Sequence, residues 1–116
     1  MSTSIRGIGV DIAEVKRFRK LPYKSNFSFY GKVFLEAEIR YCLSKVDPYP
    51  HFAARFSAKE AIIKATNKKV SNLENIEISN SGNGYPRAKV KNIKGKILIS
   101  LSHTKDQAIA IAIWLN

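Results

Sequence analysis

The chain predicts an α+β fold, early helices packed on an antiparallel sheet, and a change of pattern along its length is the main reason. Up to about Asn67 the apolar residues recur at helical spacing; from Leu73 onward they recur at every second position. The clearest strand is Gln107 to Leu115, where isoleucine and alanine alternate strictly. At 116 residues the whole chain, 1–116, is one domain, large enough for a single core but too short for two.

Ile5 to Ile12 reads as a short strand whose glycines let another backbone or a ligand come close. Ala13 to Lys20 reads as a helix with Val15 and Phe18 inward and its basic residues outward. Pro22 to Gly31 is turn-rich, and the sequence assigns it no element. Glu36 to Val46 has Ile39, Cys42, Leu43 and Val46 at helical spacing. Asp47-Pro48-Tyr49-Pro50 reads as a stop, because a proline disfavours helix in the residue before it. A long helix is then expected from about His51 to about Asn67.

In the second part, Glu74 to Ser79 alternates weakly, Asn80 to Pro86 is a loop of turn residues, and Arg87 to Asn92 reads as a polar edge strand. Lys96 to Ser102 places Ile97, Ile99 and Leu101 on one face. His103-Thr104-Lys105-Asp106 turns into the last strand, with Ile109, Ile111 and Ile113 on one side. Its other side, Ala108, Ala110 and Ala112, is smooth and suits close contact with a helix or a subunit.

Twenty basic residues oppose nine acidic ones, a net charge of +11, which speaks to partners and not to fold. Lys16, Arg17, Arg19, Lys20 and Lys24 follow Glu14 with no acid until Glu36. Arg87, Lys89, Lys91, Lys94, Lys96 and Lys105 lie in a stretch free of acids. Charge alone leaves open nucleic acid, an anionic membrane, or an acidic protein together with a phosphate-rich small molecule. One cysteine rules out an internal disulfide, and with two histidines it leaves no usual structural zinc site. No signal peptide or membrane span is visible, and a single cysteine permits a reducing cytosol; the expectation is a cytoplasmic protein with no membrane partner.

Two carboxylates are oddly placed. Asp11 ends the apolar run Gly7-Ile8-Gly9-Val10-Asp11-Ile12. Glu60 and Lys64 fall in a narrow wedge between a Phe52, Phe56, Ile63 stripe and an Ala54, Ala58, Ala61, Ala65 stripe of the long helix. A carboxylate between packed faces needs a cation, a donor or a metal ion. Plain explanations exist: a Glu60–Lys64 surface pair, and Asp11 capping the next helix.

Three blocks carry a resemblance: Gly7 to Ile12 with Arg17, Phe52 to Ala61 with Lys64-Ala65, and Ser100-Leu-Ser-His-Thr104. In that order they resemble holo-[acyl-carrier-protein] synthase, the small bacterial-type family of phosphopantetheinyl transferases. The middle block is the specific one. Leu35 stands where such sequences often carry threonine, and Phe56 where many carry tryptophan.

The resemblance implies a phosphopantetheinyl-transferase-like fold in a homotrimer with each active site between two subunits. It implies that Asp11 and Glu60 hold Mg²⁺ on the pyrophosphate of coenzyme A, with Lys64 set for a phosphate oxygen. A serine of apo acyl carrier protein would attack the phosphate bearing the pantetheine arm, giving holo carrier for fatty acid synthesis. Either Glu60 or a metal-bound water can take the serine proton. By the same likeness His103 and Thr104 bind the coenzyme's ribose phosphate, Arg55 and Lys59 contact the coenzyme, and Gly84 and Pro86 shape a loop near the adenine. Lys16, Arg17, Arg19 and Lys20 are the charges expected to dock the acidic carrier.

Two other classes compete. A small basic nucleic-acid-binding domain explains the charge, but no RNP-like stacking motif or Gly-x-x-Gly clamp is present, and no nucleic-acid partner is expected. A module that holds coenzyme A without transfer explains the basic residues but not the carboxylate pair.

Overall fold

The computed structural model describes residues 4–116. Strand β1 (Ile5–Glu14) leads into a short helix α1 (Val15–Arg19), then α2 (Phe27–Val33), α3 (Glu36–Leu43) and the long α4 (Pro48–Ala65). The second part holds β2 (Ile76–Asn80), β3 (Pro86–Val90), β4 (Lys96–His103) and β5 (Gln107–Leu115). The strands form two antiparallel sheets, one ordered β1-β5-β4 and one a β2-β3 hairpin. The α+β expectation holds.

Helix α4 lies on the three-stranded sheet, and glycine permits the close approach. A Cβ added at Gly9 would overlap the Ala61 carbonyl and lie 2.7 Å from the Ala65 nitrogen; one at Gly7 would overlap the Ala65 carbonyl. Strand and helix therefore run in opposite directions, backbone against backbone, and the next inward residue of β1 is Asp11. The backbone that β1 admits belongs to α4.

The alanine side of β5 completes this contact. Ala108, Ala110 and Ala112 are buried, in one core with Ala58, Ala61, Ile62 and Ala65 of α4 or, for Ala108, with Phe52 to Ala54. Of the two uses expected for that smooth face, the helix takes it. The isoleucine side points away from the core and stays open: Ile8, Val10, Ile12, Leu98, Ile109 and Ile111 are all exposed.

Several boundaries differ from expectation. The proline pair does not stop a helix but starts one: Pro48 opens α4 after Asp47, whose carboxylate accepts from the Tyr49 N–H at 3.3 Å. Proline fits the first turn because no intrahelical partner awaits its missing N–H. The stretch read as turns runs into α2, which buries Tyr30 and Val33 among Phe18, Phe34 and Phe52. Helix α3 ends at Leu43, leaving Leu43 and Val46 exposed. With leucine at position 35 the helix has no side-chain oxygen there, and Glu38 accepts from the Leu35 N–H at 2.8 Å. Val15 and Phe18 are fully buried, though α1 begins only at Val15.

Candidate active site

Asp11 and Glu60 are brought together where α4 crosses β1. Lys64 lies between the two segments, donating to the Val10 carbonyl at 3.0 Å and to Asp11 Oδ1 at 3.2 Å. The Asp11 side chain is largely covered, while half of Lys64 faces solvent. Burial raises the proton affinity of Glu60 above the usual carboxylate value, and the negative charge of Asp11 raises it further; Lys64 and Arg17 oppose both. Glu60 therefore has Asp11 as a close electrostatic neighbour, and neither plain explanation fits. Asp11 lies inside a strand and caps nothing, and Lys64 reaches to β1 for its bonds.

A second cluster lines a cleft of about 180 Å³ on another flank of α4. Arg55, Gly84, Pro86 and His103 all border it, with Tyr41, His51 and Asn80. Arg55 is buried; its Nη2 donates to Asn80 Oδ1 at 2.7 Å, and its guanidinium lies 3.9 Å from the Tyr41 ring centre. Asn80 Nδ2 in turn donates to the Gly84 carbonyl at 2.9 Å, tying the loop to the cleft wall. Gly84 has φ +85°, a conformation that glycine adopts at little cost. Arg55 and Glu60 are five residues apart, hence about 140° apart round the helix. The carboxylate cluster and the cleft thus open on different flanks.

Other expected residues divide. Lys59 does not reach the cleft: its ammonium is fully buried, 2.7 Å from Glu38 Oε1 and 2.9 Å from the Val33 carbonyl. Burial lowers its proton affinity and Glu38 works against that. The coenzyme contact implied by the resemblance does not hold for Lys59, because α2, α3 and the turn before β2 cover that side. Thr104 stands in the β4–β5 turn, its hydroxyl accepting from the Asp106 and Gln107 N–H groups at 3.2 and 3.1 Å. Arg19 is engaged by Asp47 through two hydrogen bonds of 3.0 and 2.7 Å. Lys16 is 3.3 Å from Glu14 and well exposed, Lys20 is exposed, and Arg17 lies over the Phe56 ring at 4.9 Å.

The sequence missed His51, Tyr41 and Asn80 in the cleft, and Glu38 in the core. His51 was legible in one respect only, standing four residues before Arg55 and so on the same helix face.

A family model for the 4'-phosphopantetheinyl transferase superfamily matches residues 7–113. The chain belongs to this superfamily. It is 46% identical over 110 residues to a holo-[acyl-carrier-protein] synthase of Thermodesulfovibrio yellowstonii, covering 94% of this chain and 97% of that one. A synthase of the same name from Chlamydia caviae is 40% identical over 116 residues, covering 93% and 95%. A crystal structure of the Bacillus anthracis synthase in complex with CoA (3',5'-ADP) superposes with a TM-score of 0.82 at 30% identity, covering 97% of each chain. The Helicobacter pylori synthase in complex with coenzyme A gives 0.80 at 26% identity, covering 94% of this chain and 99% of that one. The phosphopantetheinyl transferase class read from three sequence blocks is thereby established for this enzyme.

Proposed function

We propose that the protein transfers the phosphopantetheine arm of coenzyme A to a serine of apo acyl carrier protein, with Asp11 and Glu60 holding Mg²⁺ beside the coenzyme pyrophosphate. The observation that carries the metal assignment is the meeting of these carboxylates under α4, with Glu60 disfavoured as an anion until a cation arrives. Two carboxylates, with the remaining positions left to water and phosphate oxygens, suit Mg²⁺.

When bound, the cation supplies Lewis acidity toward the phosphoanhydride. Lys64 exchanges its contacts to Val10 and Asp11 for a phosphate oxygen and holds the transferred group in line. In the cleft, Arg55 and His103 take the phosphate-bearing ribose, and the loop at Gly84 and Pro86 borders the adenine. The serine oxygen bonds to the phosphate bearing the pantetheine arm, the phosphoanhydride breaks and adenosine bisphosphate leaves, while the serine proton passes to Glu60 or to water beside it. Lys16, Arg17 and Lys20 draw in the acidic carrier. Because the two clusters open on different flanks of α4, a homotrimer in which one subunit's carboxylates meet the next subunit's cleft completes the site. The open isoleucine face supplies the apolar surface for that assembly. The setting is fatty acid synthesis in the cytoplasm.

Asp11→Asn and Glu60→Gln each abolish transfer at saturating Mg²⁺ while circular dichroism and the unfolding midpoint stay close to wild type. Near-normal turnover in either variant removes the metal assignment. Unfolding of both returns them to a structural role.

A further inference from the structure

Among the described residues, His51 is the one basic side chain lining the cleft to which the transfer reaction assigns no task. It stands on α4 one turn before Arg55, and its ring meets the His103 ring edge-on, with centres 4.9 Å apart. The Tyr41 ring lies 6.1 Å away on the α3 side. We infer that His51 is a second imidazole for the coenzyme's terminal ribose phosphate, completing with His103 and Arg55 a three-sided grip on that dianion. The inference rests on the reading of this cleft as the coenzyme site.

The charges around His51 favour an anion. Arg55 faces it from α4, Lys45 from the end of α3, and His103 from β4. The acid nearest in sequence, Asp47, is occupied by Arg19. The β2–β3 side contributes Asn80, Gly84 and Pro86, none of them charged. Without ligand, burial first, and then His103, Lys45 and Arg55, hold His51 below the usual histidine value, against a weaker pull from Asp47. His51 is therefore neutral at pH 7 in the free protein. A phosphate dianion reverses that balance, so binding takes up a proton and affinity gains from His51 as pH falls. The rings also pack, so the cleft is preformed and little ordering is required on binding.

The test is calorimetric titration of wild type, His51→Gln and His51→Phe with coenzyme A and with 3'-dephospho-coenzyme A, at pH 6 and pH 8. The phosphate itself titrates near pH 6, so proteins are compared at one pH, where that contribution cancels. At pH 6 both variants lose about tenfold in affinity for coenzyme A, the scale of one hydrogen bond to a charged group. At pH 8 the loss shrinks to about twofold, and toward dephospho-coenzyme A it is negligible at either pH. His51→Phe keeps an aromatic ring against His103, so its agreement with His51→Gln excludes a packing effect. Equal losses for both ligands, or full rescue by phenylalanine, overturn the assignment of His51. If wild type itself binds the two ligands equally, the cleft does not hold that phosphate, and the coenzyme reading of the cleft falls with it.

Discussion

Lys59 and Glu38 form a fully buried ion pair, and the surrounding bonds explain why it persists. One Glu38 oxygen accepts from Lys59 and from the Leu35 N–H; the other accepts from the Ile78 N–H at 2.7 Å. Lys59 also donates to the Val33 and Leu73 carbonyls. The pair thereby fastens α2, α3, α4 and β2 at a single point. Removing one partner leaves the other charge uncompensated, so Lys59→Met costs about 3–5 kcal/mol in denaturant unfolding. The double change Lys59→Met with Glu38→Gln recovers part of that loss. A variant of unchanged stability and weakened coenzyme affinity would return Lys59 to the binding site. Nothing in the sequence signals the pair, because no local spacing links residues 38 and 59. Asp11 and Glu60 were legible, because a carboxylate in an apolar run is conspicuous even without its partner.

Among the elements, the β1–α4 contact decides how the proposed metal-holding residues meet. Gly7 and Gly9 remove the side chains that would hold the helix off the strand, and Asp11 follows at the point where Glu60 and Lys64 arrive. Gly9→Ala therefore pushes α4 away from β1. The expected cost is about 1–3 kcal/mol of overpacking, with a fall in turnover larger than the loss of folded protein, measured by chevron and rate on the same sample. Wild-type turnover in Gly9→Ala would show that the close approach is not needed. The glycines, the alternation of β5 and the wheel of α4 were all readable, since each is a short-range pattern. Helix α2 was not: its Tyr30 and Val33 have helical spacing, but Gly31 and the polar residues before it mask the period. The start of α4 was misplaced because proline breaks a helix from inside and fits its first turn.

On the scale of the whole molecule, two surfaces remain to be used. The outer face of the three-stranded sheet exposes a contiguous set of isoleucines, valine and leucine, unusual for a surface that meets only water. Ile109→Asp with Ile111→Asp should turn a trimer into monomers by sedimentation, and transfer should fall with it. A wild-type chain that is monomeric and fully active would contradict the shared site. The helix α1 surface is the other. Arg17 lies over Phe56 and its charge acts on Glu60, so Lys16 and Lys20 are the cleaner probes of the proposed docking. Reversing both to glutamate should slow encounter with the carrier, leave coenzyme affinity unchanged, and blunt the fall of rate with salt, because exposed charges act over about 8 Å at physiological ionic strength. An unchanged carrier rate alongside tight, salt-sensitive nucleic-acid binding would overturn the docking role. These surfaces were only half legible: the sequence shows two unlike faces of β5 but not which of them α4 takes.

The most direct measurement is the mass of apo acyl carrier protein after incubation with the enzyme, coenzyme A and Mg²⁺. The account predicts that wild type adds one phosphopantetheine to the carrier, that omission of Mg²⁺ prevents it, and that Asp11→Asn and Glu60→Gln leave the mass unchanged. A carrier of unaltered mass after incubation with folded wild-type protein would contradict it.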